Sequence, residues 1–265
     1  MLVVNLALPL LILWESMNIG LYQSAASLSA LERWQDIVSQ NITSSQMTGY
    51  RKRTVTFSAE MAGELQSDAR TPVGRGAGLG MLFPKINNGI NFVNGEALPT
   101  RRDLDVAIQG EGFFEIKRPD DSRAYTRGGE FRIGPENTLV TSSGDEVMGT
   151  SGSAIPLQPN GGPIAINHDG AITQGLNRVG KISVQKFGDN SKLMPIAGGY
   201  FVAGPDANLE SVDKPELLQG YLEGSNVSSL REMVDLVLIS RAYEANQKVI
   251  TSVDQQMQKT LDALG

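Results

Sequence analysis

The 265-residue chain contains no cysteine. That one absence excludes disulfide frameworks, thiolate zinc sites, iron–sulfur clusters and thiol nucleophiles. Histidine is nearly missing as well, since His168 stands alone. A metal site built on several histidines is ruled out, and a Ser-His-Asp hydrolase has a single candidate base. Aromatic residues are only 6% of the chain, so the core must rest on aliphatic side chains. Positive charge is in deficit: 23 Lys plus Arg stand against 29 Asp plus Glu, a formal net charge of −6. A dedicated nucleic-acid binder carries a basic footprint, and none is expected here. Long apolar runs are also wanting. The stretch Leu2 to Trp14 falls short of the about 20 residues a membrane helix needs, and it holds Asn5 and Pro9. It also lacks the basic start of a secretory signal, because the first basic residue is Arg33. Residues 1–16 therefore read as a non-native leader or as a start placed upstream of Met17, with a signal peptide as the alternative. No stable membrane insertion is expected.

What the chain does have is helical periodicity at both ends. Between Asn18 and Met47, Leu21, Leu28, Leu31, Val38 and Ile42 step by threes and fours or their sums, and neither Gly (after Gly20) nor Pro interrupts them. Gly49 is expected to stop this helix, with the basic run Arg51-Lys52-Arg53 complementing its C-terminal dipole in solvent. Near the other end, Leu236, Ile239, Tyr243, Asn246, Ile250, Val253 and Met257 keep the same spacing as far as Leu264. Ser229-Leu230-Arg231-Glu232 fits a capping box at the start of that helix. Asn246 is a lone polar residue on the stripe, a common register-fixing device.

Between these helices the texture changes. Residues 98–221 carry short β-prone runs, such as Asp105 to Ile108, Gly112 to Ile116, Thr138 to Val140 and Lys181 to Val184. Turn clusters rich in Pro, Gly, Asn and Asp separate them, which predicts an antiparallel β domain. Residues 51–97 are polar and, from about residue 62, Gly-rich, and read as an extended arm. The expected fold class is α+β: long N- and C-terminal helices (residues 17–50 and 222–265) pairing as a coiled-coil-like layer, with a central β domain. Two paired helices beside a β body leave apolar stripe uncovered, so burial against other copies is expected.

No catalytic or cofactor motif holds. Gly74 to Gly80 alternates glycine with other residues, but no strand leads into it and no helix follows, so it does not read as a phosphate cradle. Gly175 to Lys181 resembles a P-loop until Ile182 stands where Ser or Thr must bind the metal; it reads as a hairpin turn. Asn167-His168-Asp169-Gly170 lacks the later ligands of a calcium loop and reads as a β-turn with His168 exposed. Asp103, Asp105, Glu111 and Glu115 read as solvated carboxylates rather than a glycosidase pair. No enzyme activity, cofactor or metal is expected. The alternative reading is a secreted surface-binding protein or hydrolase with a site in the β body near Glu111 or Asp169.

Three stretches together resemble the flagellar basal-body rod and hook axial proteins. The first is Asn41-Ile42 with Thr48-Gly49-Tyr50-Arg51-Lys52, although Thr43-Ser44 stand where that family commonly has Ala-Asn and Thr48 abuts Gly49 directly. The second runs from Leu104 through Gly110, Gly112, Phe113 and Phe114, with Tyr125-Thr126-Arg127-Gly128-Gly129 downstream. The third is Leu222 to Val227, containing Ser225 and Asn226, followed by Arg241 to Lys248. The resemblance spans about Met17 to Leu264, and length favours a rod subunit, of the distal type with the proximal type open. It implies a structural subunit that polymerises helically into the drive shaft crossing the periplasm. It also implies export by the flagellar type III apparatus and contacts with itself, with neighbouring rod and hook proteins and with the surrounding basal-body rings. Leu21, Leu28, Leu31, Val38, Ile42, Leu236, Ile239, Tyr243, Asn246, Ile250, Val253 and Met257 are then the expected assembly seam.

Overall fold

A computed structural model describes residues 4–62 and 81–262, with side chains placed over 23–58 and 85–262. The glycine run Gly74 to Gly80, the side chain of Leu21 and Leu264 lie outside the described residues. The architecture is α+β. Helix α1 spans Val4–Thr43 and helix α2 spans Ser229–Asp262, and the strands between them pair antiparallel wherever their register is defined.

The end of α1 corrects the expected stop at Gly49. Ser45 donates both its hydroxyl and its backbone N–H to the Ile42 carbonyl, at 2.7 and 3.2 Å. A serine that folds back on a last-turn carbonyl competes with the helix ladder and ends it. Gly49 instead occupies the left-handed region (φ 70°) in the turn that follows.

The described chain divides into two compact units, one holding α1 up to Gln40, Arg53–Gly89 and the chain from Leu230 onward, the other holding Asn41–Lys52 and Ile90–Ser229. In the first unit, the strands Arg53–Ala62 and Met81–Ile90 form a two-stranded ribbon within the expected arm. Its polar face is stitched by Thr56 and Ser58 hydroxyls donating to the carbonyls of Asn87 and Lys85. On the other face, Phe57 meets Trp34 of α1 edge-on at 5.5 Å between ring centroids. Pro84 and Asn87-Asn88-Gly89 give the second strand the look of a loop, which is why the ribbon was not legible from residue types.

The second unit is the β body. A nine-stranded sheet is organised around the strand Phe113–Lys117, which pairs with Arg123–Thr126 and also contacts Glu146–Val147 and Val184–Phe187. Successive side chains on a strand point to opposite faces, and here both faces are covered. Phe114 and Ile116 enter the main aliphatic core with Val106, Leu139, Ile155, Ile172, Ile182 and Leu217. Phe113 enters a second, aromatic cluster with Tyr125, Phe187, Phe201 and Phe92. A strand buried on both faces reads as an unbroken apolar run rather than an alternating one, and Gly112-Phe113-Phe114-Glu115-Ile116 has that texture.

Glu115 corrects the expectation of a solvated carboxylate. It is buried on the same face as Phe113, where it accepts from Ser183 Oγ at 2.7 Å and Gln185 Nε2 at 3.1 Å and pairs with Arg123. Asp105 is buried too, whereas Asp103 and Glu111 are exposed as expected. The expected strand from Lys181 to Val184 is split: one strand ends at Lys181, the next begins at Val184, and Ile182 bridges Gly149 between them. The Gly175 motif is the predicted hairpin turn between Ala171–Gln174 and Asn177–Lys181.

Phe114 has no solvent exposure and stands edge-on to Phe131 at 5.1 Å. Phe114→Ala is expected to cost about 3–5 kcal/mol of stability, read as a lower urea midpoint at unchanged m-value.

Candidate functional site: a buried arginine–glutamate clasp

The most elaborate polar construction in the β unit joins three segments that lie far apart in the chain. Glu223 closes the last strand, Tyr221–Glu223, and its carboxylate is buried between two guanidinium groups. Arg51 Nη1 reaches Oε1 at 2.7 Å and Arg127 Nη1 reaches Oε2 at 3.2 Å, with every one of these side chains at most 3% exposed. Gly95 N–H donates to Oε1 at 2.9 Å, and Gly49 N–H donates to the Glu223 carbonyl at 2.7 Å.

The arginines are held from the other side as well. Arg51 donates to the Val93 carbonyl and to Asn94 Oδ1. Arg127 donates to the carbonyls of Ile108 and Gly110 and, at 3.3 Å, to the same Asn94 Oδ1. Its guanidinium also lies 5.4 Å from the Phe113 ring centre, within cation–π range. Burial pulls the Arg127 pKa down to about 10, partly offset by the attraction of Glu223. The group therefore stays charged at neutral pH. Two cations then face one buried anion.

Steric constraints fix how the segments meet. At Gly49 an added Cβ would sit 2.3 Å from the Arg127 carbonyl carbon and the Gly128 nitrogen. At Gly95 it would sit 1.9 Å from the Gly224 carbonyl oxygen. Asn226 completes the junction: its Oδ1 accepts from Lys52 N–H at 2.6 Å, while its Nδ2 donates to the carbonyls of Asn91 and Val93. Tyr50 is buried and its hydroxyl donates to Asn41 Oδ1 at 3.3 Å.

The structure thus gathers Asn41, Gly49, Tyr50, Gly110, Phe113, Arg127 and Asn226 from the three sequence motifs. Others serve nearby turns or the core. Thr126 Oγ1 accepts from Gly128 N–H, Ser225 Oγ accepts from Val227 N–H, and Phe114 faces the opposite side of its strand. Gly112 (φ 124°) is required because a Cβ there would meet Val184 Cγ1 at 2.7 Å. Sequence reasoning missed Glu223, Asn94 and Gly95 as partners, and it placed Arg51 in solvent as a helix end-cap. That placement is corrected: α1 ends at Thr43, so Arg51 lies past the dipole and is drawn inward by Glu223. A weak signal was present, since Glu223 is the one charge in an otherwise neutral stretch from Leu222 to Ser229.

The expected assembly positions are not in the clasp. Leu31, Val38 and Ile239 are buried, while Leu28, Ile42, Leu236, Tyr243, Asn246, Ile250, Val253 and Met257 are half-buried. Asn246 Nδ2 donates to the Ala242 carbonyl of its own helix. A different row on α2 stays open to solvent: Leu230, Met233, Val234, Val237 and Leu238, each more than half exposed.

For the enzyme alternative, Glu111 pairs with Lys186 at 2.7 Å on the surface and Asp169 caps its own turn through Ala171 N–H. The cleft lined by Lys117, Asp121, Arg123, Glu146 and Met148 includes neither of them. Among the described residues no cluster of three acidic or histidine side chains is placed to hold a metal, and no helix is long and apolar enough to cross a membrane.

Removing one partner of a buried ion pair strands the other in a medium that solvates it poorly. Glu223→Gln is therefore expected to cost about 3–5 kcal/mol, visible in chemical denaturation. Gly49→Ala should fail more locally. It should leave the β-sheet circular dichroism in place and expose the backbone around Gly49 and Arg127 to faster hydrogen exchange.

Residues 107–174 match the family described as flagellar hook protein FlgE/F/G D1 domain, and residues 218–263 match the flagellar basal body rod FlgEFG protein C-terminal family. The first match contains Arg127 and the second contains Glu223, Asn226 and α2. The flagellar basal-body rod protein FlgF of Caulobacter vibrioides is 30% identical over 250 residues, covering 94% of this chain and 99% of that protein. FlgG of Agrobacterium fabrum is 29% identical over 252 residues, covering 88% and 94%. FlgG of Buchnera aphidicola subsp. Baizongia pistaciae is 30% identical over 257 residues, covering 91% and 97%. With both family segments matched in order and relatives aligned along nearly their whole length, the chain belongs to the flagellar basal-body rod protein family.

Proposed function

We propose that this rod-family chain is a structural subunit of the flagellar basal-body rod whose activity is assembly, and that it polymerises through α2 with the support of α1. The observation that carries this reading is the exposed apolar row on α2. Leu230, Met233, Val234, Val237 and Leu238 recur at spacings of three and four, so they share one helix face. The stripe through buried Ile239 and half-buried Leu236, Tyr243 and Asn246 runs along the opposite face. A helix that is apolar on two opposite faces needs cover from two sides.

Past Leu238 the outward face carries Arg241, Glu244 and Lys248, so the open row is densest in the first turns of α2, with Val249 exposed beyond it. A second copy of the chain is the partner that fits an axial subunit. Contacts between different patches on successive copies generate an open helical polymer, whereas self-complementary contacts close into pairs. The pairing of α1 with α2 as an inner layer belongs to the same proposal, and both helices contribute to the same compact unit. So do the division of the chain into helical, arm and β segments, passage across the periplasm, type III export, and contacts with neighbouring rod and hook proteins and the basal-body rings. Relatives named FlgF and FlgG match at equal identity.

A charge in the open row tests the reading. Val237→Glu is expected to leave the helix content and thermal midpoint of the isolated chain unchanged while abolishing sedimentable polymer and swimming motility. Ile250→Glu, on the half-buried stripe, is expected to abolish polymer while also loosening α2, with the β body still folded. Normal rods built from Val237→Glu subunits would overturn the assembly role of this face.

A further inference from the structure

The chain contains three Asn-Gly pairs: Asn88-Gly89, Asn94-Gly95 and Asn160-Gly161. Glycine lacks a Cβ, so its backbone nitrogen is unhindered in approaching the side-chain carbonyl carbon of the residue before it. At Asn94 that general chemistry meets an unusual set of neighbours. Oδ1 accepts from Arg51 Nη2 at 3.0 Å and from Arg127 Nη2 at 3.3 Å. Nδ2 donates to the Gly110 carbonyl at 3.0 Å. The nitrogen of Gly95 donates to Glu223 Oε1 at 2.9 Å. These partners fix the amide orientation, because guanidinium groups only donate and a carbonyl only accepts. Asn94 itself is exposed, so ammonia can leave and water can enter.

We propose that Asn94 is a self-modification site, deamidating on the folded chain with Gly95 N as nucleophile, Glu223 as base and the two arginines as the oxyanion site. In the first step the Gly95 nitrogen bonds to Asn94 Cγ and its proton passes to the Glu223 carboxylate. Negative charge gathers on Oδ1, where two cationic donors already stand; donors aimed at a developing oxyanion commonly lower such a barrier by several kcal/mol. The Cγ–Nδ2 bond then breaks, and Nδ2 recovers the proton and leaves as ammonia. The resulting succinimide takes up water. Opening at Cγ gives aspartate, and opening at the main-chain carbonyl gives isoaspartate. No oxidant or reductant is involved.

The product explains why the clasp favours the reaction. Before it, Glu223 is the one carboxylate that the described residues place in direct contact with Arg51 and Arg127. An aspartate at position 94 puts a second carboxylate on the same two guanidiniums and balances the buried charge. Gly95 cannot be exchanged to block the reaction, since a Cβ there would overlap the Gly224 carbonyl. The vulnerable dipeptide is thus imposed by the junction itself. Asn88 and Asn160 are exposed and, among the described residues, neither side chain bonds to a charged group, so they serve as internal references.

The test is to incubate purified full-length chain at neutral pH, native and in strong denaturant, and to quantify aspartate plus isoaspartate at all three asparagines by peptide mass spectrometry. In the native chain Asn94 is expected to convert on the order of tenfold or more faster than Asn88 and Asn160, and faster than it does itself in denaturant. Conversion no faster than at the reference sites, or slower on the native chain than in denaturant, overturns the proposal. An Asn94→Asp chain supplies the product directly. Its thermal midpoint should rise by a few degrees, and a fall would overturn the charge-balance argument.

Discussion

A carboxylate held between two guanidiniums away from water is the constraint on which the β unit depends. Burying any one of these three groups alone would be prohibitive. Each is tolerable only because the others are present, so the backbone segments that bring Arg51, Arg127 and Glu223 together must all take their final paths at once. Such a cluster contributes less to raw stability than an apolar core of the same volume would. What it contributes here is uniqueness of arrangement. The Gly49 turn cannot slide along Arg127-Gly128, and the Gly95 turn cannot slide along Gly224, without parting a charged hydrogen bond.

Much of this architecture was legible in the sequence, and the illegible parts share a cause. Both helices announced themselves because a repeat of three and four residues is a local property, and the β body did so through its turn residues. The Phe113-Phe114 strand was readable from its unbroken apolar texture. Arg51, Glu115 and Glu223 were not, because a charged residue destined for burial looks the same in one dimension as one destined for solvent. Its fate is decided by a partner that sits anywhere from a few residues to more than 170 residues away. The end of α1 failed for a smaller reason: one serine hydroxyl outcompeted the next helical turn, while Gly49 drew attention to itself further along.

The same logic separates the two faces of α2. Periodicity picked out the stripe through Ile239 and Ile250, which the chain covers at least in part for itself. It passed over Leu230 to Leu238, whose apolar side chains fill in the opposite face without disturbing the stripe's period. Sequence patterns find a face that the chain covers for itself more readily than one it leaves open.

One consequence of the clasp concerns the order in which the molecule can be finished. Lys52 and Asn226 are bonded across 174 positions of chain, and the Arg51–Glu223 pair spans nearly as many. A polypeptide that emerges end-first therefore cannot complete its early turn until almost the whole of it has arrived, whichever terminus leads. Until then the two arginines have good reason to stay hydrated, and the incomplete chain stays open. The junction acts as a check on what lies between: only a molecule that carries both residues 49–52 and residues 223–226 can latch.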